Sequence, residues 1–349
     1  MKYLLVSNMY PKDDSSGYGV FIKNIKQGLE LQGVEVDIIA IKGKQSSTIK
    51  KIFSYIKFYF TIISTDFKKY NFIQISYPSH TYIPFLLKRK YVNKFIVRLH
   101  GHDLLPINKF GKLLNKISKK AVLDSPLTIL PSKYFYNELL KLCRPNLVYI
   151  YPSGGLDKKL FYFKKRENKV FTIGYVGRIV KNKGLDLLLK AVSKLNFDYQ
   201  LIIIGRTSHE PEYFNNLELL VRKLKINNKV KFMGFIRPKL LIEYYSKMNL
   251  FVFPTQFKES FGNVAIEAMA CGVPVVGSKI GALEEYIFHE YNGYLFEPNN
   301  IKQLQKFITK YYELNNEERL KFINNAIESV KVYEQNYINK KFYKFLKNI

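Results

Sequence analysis

Three cations lie between a predicted strand and a predicted helix. After the apolar segment Phe171–Gly177, the residues Arg178, Lys181 and Lys183 precede a helix that begins at Leu185. A helix N-terminus attracts anions through its free N–H groups and its dipole, and arginine can hold phosphate oxygens with two parallel hydrogen bonds. The loop therefore predicts a diphosphate site at Arg178 and Lys183, with a solvated basic turn as the plainer alternative.

Two carboxylates eight residues apart mark a second loop. Glu259 and Glu267 follow the apolar segment Leu250–Pro254. With a helix that begins near Phe261, Glu267 lies on the helix and Glu259 in the loop that enters it. Both carboxylates can then face one cleft and accept hydrogen bonds from sugar hydroxyls. An ordinary helix start with a solvated face is the alternative.

The start of this helix is itself a candidate anion site. The N–H groups of Phe261, Gly262 and Asn263 lack partners within the helix and can point at an anion. Gly262 lets the backbone approach a ligand closely because it has no side chain. These three residues are therefore predicted to contact the same ligand as the two carboxylates.

Short apolar segments alternate with helical patterns along the whole chain. In the first half these segments are Tyr3–Ser7, Glu35–Ile41, Phe72–Tyr77, Phe95–His100, Thr128–Pro131 and Val148–Tyr151, and in the second half they are Phe171–Gly177, Gln200–Gly205, Lys229–Gly234, Leu250–Pro254 and Val273–Gly277. Wholly apolar strands alternating with helices are typical of parallel sheets covered on both faces. The pattern predicts an α/β protein with two Rossmann-like, doubly wound domains, whose ligands bind at the carboxyl ends of the strands.

The boundary between the two domains is predicted at a turn-rich segment, Tyr151–Asp157. We expect an N-terminal domain over residues 1–155 and a C-terminal domain over 168–332. The two domains are expected to face each other across a cleft. The last segment, about 333–349, is expected to be a helix that crosses back to the first domain.

Taken together, these residues resemble glycosyltransferase family four, the retaining enzymes with the GT-B fold. That family carries an E-x7-E motif, here Glu259 to Glu267, and its Arg and Lys match Arg178 and Lys183. Further motifs match Gly-Ala-Leu-Glu-Glu, which ends at Glu285, and Asn-Gly-Tyr-Leu-Phe, which ends at Phe296. The resemblance implies that the C-terminal domain binds a nucleotide sugar and that the N-terminal domain faces the acceptor.

The first half resembles the family more loosely. Gly19 lies in a segment similar to the family's glycine loop, which would bring backbone amides near the donor phosphates. The segment from His100 to Asp103 resembles its H-G-x-D motif, and Ser153 replaces an asparagine in its hinge. Ala282 stands where the family often has glycine, which obscures the identity of the nucleotide and the sugar.

The resemblance implies a role for each site residue. Glu259 is expected to contact sugar hydroxyls, Glu267 the ribose hydroxyls, and His100 the donor sugar. Asp103 is a weaker candidate, directed toward the acceptor or capping the helix after Pro106. No protein nucleophile is expected, because the family is described as transferring on one face of the sugar, with the leaving phosphate helping to deprotonate the acceptor.

The expected reaction moves a hexose from a UDP- or GDP-sugar to a hydroxyl of a glycan or lipid-linked acceptor, in cell-envelope polysaccharide biosynthesis. Many sugar transferases hold a divalent metal with an Asp-x-Asp pair, which this sequence lacks; Asp13 and Asp14 are merely adjacent. Arg178, Lys183 and helix N–H groups can replace the metal electrostatically. We therefore expect neither a metal nor another cofactor beyond the nucleotide-sugar co-substrate.

The charge of the chain suggests an anionic partner. The formal net charge is +28, and residues 1–170 carry 30 Lys and Arg against 11 Asp and Glu. An anionic membrane surface fits this excess, and so does a compositional bias toward lysine. Residues 110–123 read as a basic amphipathic helix that can lie on such a membrane, or as an ordinary surface helix that buries its Leu and Ile side chains. Ile52–Thr65 reads as a buried or interfacial helix, because it is too short to span a membrane and Lys57 interrupts it. We expect a cytoplasmic protein that can lie at the inner face of the membrane.

Three other functions fit parts of the sequence. A sugar-nucleotide epimerase of GT-B fold would bind the donor without transferring the sugar. A non-catalytic nucleotide-sugar binder is disfavoured because Arg178, Lys183, Glu259 and Glu267 occur together. A nucleic-acid-binding protein fits the charge alone, and no zinc pattern, RNP motif or basic zipper supports it.

Overall fold

The computed structural model describes residues 1–12, 18–101, 103–105, 109–152, 154–165 and 170–349. The chain divides into two compact units. The first unit comprises Met1–Gly155 together with Gln335–Ile349, and the second comprises Leu156–Glu334. The segment just after Gly155 belongs to the second unit, where Leu156 forms an isolated bridge with Glu334 and the side chain of Phe161 is buried.

The first unit contains six parallel strands in the order β2-β1-β3-β4-β5-β6. The strands are β1 (Lys2–Tyr10), β2 (Glu35–Lys42), β3 (Phe72–Ser76), β4 (Phe95–Arg98), β5 (Leu127–Leu130) and β6 (Val148–Ile150). Leu4 and Val6 of β1 enter one apolar core, whereas Tyr3 and Leu5 enter another. Because successive side chains of a strand point to opposite faces, the sheet is buried on both sides.

Helices cover both faces of this sheet. They are α1 (Val20–Glu30), α2 (Thr48–Ser64), α3 (Pro78–Thr81), α4 (Lys109–Asp124) and α5 (Lys133–Leu140), with a kinked 3₁₀ segment at Ile83–Lys94. In α1 the buried residues Ile22, Ile25 and Leu29 recur at helical spacing. The Ser47 side chain caps α2 by accepting a hydrogen bond from the Lys50 N–H.

The second unit repeats the architecture with the strand order β12-β11-β10-β7-β8-β9. Its strands, all parallel, are β7 (Phe171–Val176), β8 (Tyr199–Ile204), β9 (Val230–Gly234), β10 (Leu250–Phe253), β11 (Val275–Ser278) and β12 (Gly293–Phe296). The expected α/β class with two doubly wound parallel sheets is confirmed. The apolar segments predicted eleven of the strands; β12, which follows a turn that ends at Asn292, was not among them.

Six helices pack on the second sheet. They are α6 (Leu185–Val192), α7 (Pro211–Lys223), α8 (Leu241–Tyr245), α9 (Asn263–Ala270), α10 (Ile301–Glu313) and α11 (Asn316–Val330). The last of these begins with a capping box, in which Asn315 and Glu318 each accept a hydrogen bond from the other's backbone N–H.

The final helix, α12 (Gln335–Leu346), belongs to the first unit. Its residues Ile338, Phe342 and Leu346 are buried at successive turns. The Phe342 ring lies 5.1 Å from the ring of Tyr151, and the Tyr151 hydroxyl donates to the Asn339 side chain. Within the described residues, no helix is long and apolar enough to cross a membrane.

Candidate functional site

The order of the second sheet brings two loops to one edge. Strand β7 lies between β10 and β8, so the chain leaves β7 toward one side and reaches β10 on the other. The carboxyl ends of neighbouring parallel strands meet at the same edge, and ligands of open α/β sheets bind where the strand order reverses. The loops after β7 and β10 therefore share the position at which a ligand is expected.

The loop after β7 holds two of the predicted cations in different environments. Arg178 is exposed, whereas Lys183 is only 8% exposed. Lys181–Lys183 form a 3₁₀ turn, and Gly184 then adopts a left-handed conformation with φ of 68° as the N-cap of α6. A Cβ atom at Gly184 would collide with the Pro254 carbonyl oxygen, so glycine is required where the two loops touch.

Lys183 and Glu259 join the two loops by an ion pair. The Lys183 ammonium contacts Oε1 of Glu259, and the side chains are 9% and 13% exposed. The same carboxylate oxygen accepts a hydrogen bond from the Thr255 hydroxyl at 3.1 Å. The ammonium also lies 5.3 Å from the centre of the Phe253 ring. The geometry thus places a cation beside a carboxylate and fixes both at the carboxyl edge of the sheet.

A third loop, after β11, supports the backbone of Glu259. The Glu259 carbonyl accepts a hydrogen bond from the Ala282 N–H at 3.0 Å. Gly281 has a φ of 71°, and a Cβ atom there would lie 2.6 Å from both the nitrogen and the oxygen of Glu259. Residues Gly281–Glu285, singled out from the sequence, therefore pack directly under the carboxylate loop.

Glu267 lies on α9, which begins at Asn263 and not near Phe261. The difference arises because Gly262 takes a left-handed conformation, with φ of 86°, and acts as the N-cap. The Tyr245 hydroxyl donates to Oε2 of Glu267 at 3.1 Å. Burial raises the pKa of the Glu267 carboxyl to about 7, although the hydrogen bond from Tyr245 acts in the opposite direction.

The three residues at the start of α9 differ in exposure. Phe261 is buried, and its carbonyl accepts a hydrogen bond from the Tyr286 hydroxyl at 2.8 Å. The same hydroxyl donates to the Gly262 carbonyl at 3.2 Å, whereas Asn263 is exposed as the first residue of the helix. The second unit therefore gathers Arg178, Lys183, Glu259, Phe261, Gly262, Asn263 and Glu267 on the loops and helix starts of β7 and β10.

The first unit holds the remaining predicted residues. Gly19 is the left-handed N-cap of α1, with φ of 73°, and a Cβ atom there would lie 2.8 Å from the Tyr10 backbone. His100 follows β4, and its ring stacks on Tyr77 at 4.4 Å and contacts Phe21 at 4.7 Å between centroids. The first turn of α1 and the loop after β3 thus both reach His100.

The His100 imidazole is held in its neutral form. Burial, reinforced by the nearby charge of Arg98, keeps its pKa well below the usual 6.5. Its Nε2 atom is buried and has no hydrogen-bond partner among the residues that the structure describes. Depending on its tautomer, this nitrogen of a neutral ring can donate one hydrogen bond to a ligand hydroxyl or accept one from it.

Asp103 has a structural task in this loop. Its carboxylate is buried and accepts hydrogen bonds from the N–H groups of His100, at 3.0 Å, and Gly101, at 2.8 Å. Burial raises the pKa of Asp103 to about 6, against the lowering effect of these hydrogen bonds. The carboxylate thus closes the turn before it, and its contact with an acceptor stays a prediction.

Several residues in these two places were not predicted. The Tyr245 hydroxyl donates to Glu267 on α9, and the Tyr286 hydroxyl donates to the Phe261 carbonyl before it. Phe21 and Tyr77 pack on His100. The only sequence signal for Tyr77 is its place between a strand and a proline. Asp13, Asp14, Pro106 and Ser153 lie outside the described residues, and so does His102 within the segment from His100 to Asp103.

A metal site was not expected, and this stays a prediction. In the part of the chain that the structure describes, no group of three or more His, Cys, Asp or Glu side chains is arranged to hold a metal ion.

Two curated glycosyltransferases are similar to this chain over part of their length. An uncharacterized glycosyltransferase of Methanocaldococcus jannaschii is 34% identical over 239 residues, which are 67% of this chain and 62% of that protein. A capsular polysaccharide biosynthesis glycosyltransferase of Staphylococcus aureus is 32% identical over 172 residues, 48% of this chain and 42% of that protein. The chain thus spans less than two thirds of either relative.

Solved structures of the same fold extend over the whole chain. Sucrose-phosphate synthase from Thermosynechococcus elongatus has a TM-score of 0.84 at 18% identity, covering 100% of this chain and 99% of that one. HepE of Anabaena in complex with UDP-glucose has a TM-score of 0.75 at 20% identity and covers 100% of both chains. At these identities the likeness concerns the fold.

The match to a family model lies in the second unit. Residues 157–329 match the family model described as glycosyl transferases group 1. They include the loops that carry Arg178, Lys183 and Glu259 and the helix α9 that carries Glu267, whose types and spacing match the family's motifs. Through these residues, the chain belongs to the glycosyl transferases group 1 family.

Proposed function

We propose that this protein is a retaining glycosyltransferase that moves a hexose from a nucleoside-diphosphate sugar to a hydroxyl of a glycan or lipid-linked acceptor. The observation that carries the proposal is the junction of the β7 and β10 loops, where Lys183 pairs with Glu259. Arg178 lies on the loop after β7, and Glu267 lies on α9, the helix that follows the loop after β10. Family membership of residues 157–329 supports the same conclusion.

The donor would bind along these two loops. Arg178 and Lys183 would hold the diphosphate, because guanidinium and ammonium groups bind phosphate oxygens strongly. The Glu267 carboxyl would accept hydrogen bonds from the ribose hydroxyls, and Glu259 from the sugar hydroxyls. HepE has been solved with UDP-glucose, which supports a UDP-sugar as donor, with a GDP-sugar as the alternative.

In the proposed transfer, the bond between the anomeric carbon and the diphosphate oxygen breaks while the acceptor oxygen bonds to the same carbon. The acceptor's proton passes to the departing diphosphate, so no protein nucleophile is required. Negative charge grows on the leaving diphosphate, where Arg178 and Lys183 would stabilise it without a metal ion. Neutral His100 would hydrogen-bond the donor sugar, a role that the family resemblance assigns to it.

The acceptor and the place of action complete the proposal. The relative from Staphylococcus aureus is named for capsular polysaccharide biosynthesis, which supports an envelope polysaccharide or its lipid-linked precursor as acceptor. We place the enzyme in the cytoplasm, and the net charge of +28 supports a position beside an anionic membrane surface there. Nucleic acid is not proposed as a partner.

A thermal-shift panel tests the donor site. Wild type, Arg178→Ala and Arg222→Ala are heated with UDP-, GDP-, ADP- and dTDP-sugars, with and without EDTA. Arg222 is the control because it is exposed on α7, outside the site loops. A ligand at a hundredfold excess over its dissociation constant stabilises the folded state by about 2.7 kcal/mol, which a melting curve detects readily.

We expect one nucleotide series to raise the melting temperature of wild type and of Arg222→Ala, with or without EDTA. The same series should not raise the melting temperature of Arg178→Ala. No shift with any nucleotide would overturn the donor site. Transfer is tested next with a labelled donor and a lipid-linked acceptor. If the label stays on the nucleotide sugar and the sugar is epimerised, the epimerase is favoured. If the labelled donor is recovered unchanged, a non-catalytic binder is favoured.

A further inference from the structure

Helix α2 (Thr48–Ser64) carries an apolar face that the first unit leaves uncovered. Six of its large apolar side chains are exposed, from 39% for Ile63 to 71% for Phe60. The six are Ile49, Ile52, Phe53, Ile56, Phe60 and Ile63. At 3.6 residues per turn they fall within an arc of about 100°, so they form one continuous stripe along the helix. We call this face the α2 stripe.

The stripe is not the face that attaches α2 to its unit. Phe58 and Ile62, on the other side of the helix, are buried in the core beside the sheet. Tyr55 and Tyr59 are half-buried between the two faces. The helix is therefore fixed by one face and presents the other to solvent, and contiguous apolar surface of this kind on a soluble protein marks an interaction site.

Positive charge lies beside the stripe. Lys50 and Lys57 are both exposed and lie within about 60° of one edge of the stripe around the helix axis. Segment Ile83–Lys94 adjoins the C-terminal end of α2, where the Lys88 ammonium donates to the Thr65 carbonyl at 3.3 Å. Over residues 44–94 the chain has ten Lys and Arg and one acidic residue, Asp66.

The neighbouring segment adds further apolar surface. Ile83, Leu86 and Leu87 are exposed by 44%, 38% and 73%, next to the basic run Lys88–Lys90. Exposed aliphatic side chains beside lysine and arginine are the combination that lets a protein surface enter the boundary between lipid headgroups and acyl chains.

We propose that the α2 stripe docks on an anionic phospholipid bilayer, with α2 lying in the plane of the membrane surface and its apolar side chains at the headgroup boundary. Charge complementarity selects this partner. A second copy of the chain would bring the same excess of positive charge to the interface, and like charges at close range oppose association. An anionic bilayer supplies both the apolar phase and the opposite charge.

The proposal assigns the membrane contact to a different helix from the one that the sequence suggested. In α4, the basic helix expected over residues 110–123, Ala121 and Val122 are buried, and Leu113 and Leu123 are exposed. Among the side chains that the structure describes, α2 exposes six large apolar ones, all on one face, whereas α4 exposes two. The docking does not depend on sugar transfer and can be measured without any donor.

The absence of tryptophan from the sequence allows a clean test. Phe60→Trp places a single fluorescent reporter on the stripe, and Leu219→Trp places one at a 59%-exposed site on α7 of the second unit. Each variant is mixed with vesicles of phosphatidylcholine alone or of phosphatidylcholine with phosphatidylglycerol. We expect a blue shift of the Phe60→Trp emission with anionic vesicles only, and no shift for Leu219→Trp.

Vesicle co-sedimentation measures the energetic contribution of the stripe. Phe53→Ser combined with Phe60→Ser should weaken binding at least about tenfold, because two aromatic side chains no longer leave water. Leu219→Ser combined with Leu320→Ser, at exposed positions of α7 and α11, is the matched control and should bind like wild type. Lys50→Gln combined with Lys57→Gln should weaken binding most at low salt.

Three results would overturn the proposal. The first is an unchanged Phe60→Trp emission with anionic vesicles. The second is equal binding to neutral and anionic vesicles, which would remove the charge argument. The third is a blue shift that grows with protein concentration in the absence of vesicles, which would identify a second copy of the chain as the partner. Nucleotide-induced thermal shifts, measured without vesicles, report on the donor site separately.

Discussion

The Lys183 ammonium and the Glu259 carboxylate form an ion pair between residues 76 positions apart, and both side chains are about nine-tenths buried. Removing two charges from water is costly, and the pair is retained at the edge of the sheet where ligands bind. The pair therefore orients Glu259 and keeps a positive charge in place before any ligand arrives. It links the stability of the second unit to the composition of the site.

Breaking this pair should destabilise the fold more than removing it altogether. We expect Lys183→Met and Glu259→Gln each to lower the free energy of unfolding by about 3 kcal/mol, because each leaves one buried charge without its partner. The double variant should lose clearly less than the sum of the two. Urea denaturation of the four proteins gives the coupling energy directly.

An exposed ion pair serves as the control for this cycle. Lys321 and Glu317 on α11 form a pair whose side chains are 69% and 79% exposed. Lys321→Met should change stability little, since exposed pairs contribute little. Strict additivity of Lys183→Met and Glu259→Gln would mean that the two side chains do not interact in solution.

The raised pKa of Glu267 predicts a specific pH dependence of stability. The folded-state pKa is about 7, and the usual value is 4.5. Between these values the unfolded chain has lost the proton that the folded protein keeps, so this group lowers stability as pH rises from about 4.5 to 7, by about 3 kcal/mol at most. Glu267→Gln should therefore gain stability relative to wild type as the pH increases, which melting curves from pH 5 to pH 8 will show.

A second variant checks the cause of that shift. Tyr245 donates a hydrogen bond to Glu267 that lowers the pKa of the carboxyl. Tyr245→Phe should raise this pKa further and extend the loss of stability to higher pH, while the loss still begins near the usual pKa of 4.5. A difference between wild type and Glu267→Gln that is constant across the pH range would contradict the assignment.

Much of the fold was predictable because its parallel strands are buried on both faces. Strands such as β7 and β10 are wholly buried and consist mostly of apolar residues, and that makes them visible in the sequence. The cations and carboxylates of the site were visible because they follow such strands directly. In contrast, β12 begins with Gly293 directly after a turn, and its pattern alone did not separate it from a loop.

The contacts within the site were not predictable from spacing. Lys183 and Glu259 meet because β7 and β10 are neighbours, and the order of strands in a sheet is a tertiary property. The hydroxyls of Tyr245 and Tyr286 reach the site from α8 and from the loop after β11, elements whose side-chain directions depend on packing. The start of α9 was placed too early because the left-handed conformation of Gly262 delays it.

Alanine should be tolerated less well at Gly281 than at Gly234, a glycine with a similar backbone conformation but more space around it. Gly281 and Gly234 have φ of 71° and 66°, so alanine is strained at both, by about 1 to 2 kcal/mol. A Cβ atom at Gly234 has nothing within 4 Å, whereas at Gly281 it lies 2.6 Å from the Glu259 backbone. Both variants should lose stability, but only Gly281→Ala should also lose nucleotide-sugar binding, measured by calorimetry. Equal binding by the two variants would show that Glu259 is not positioned by this contact.

His100 should remain neutral at pH values where a free histidine is protonated. Burial and the charge of Arg98 hold its pKa well below 6.5, and the Arg98 guanidinium is itself buried, 4.3 Å from the centre of the Tyr151 ring. Since the unfolded chain takes up a proton near pH 6.5 and folded His100 does not, this group lowers stability as the pH falls.

Arg98→Met removes the charge and should raise the pKa of His100, whereas Arg98→Lys keeps the charge and should leave the pKa of His100 low. Two-dimensional NMR of the imidazole nitrogens across this range follows the titration, and a His100 resonance that titrates near pH 6.5 in wild type would contradict a neutral ring at the ligand edge of the first sheet.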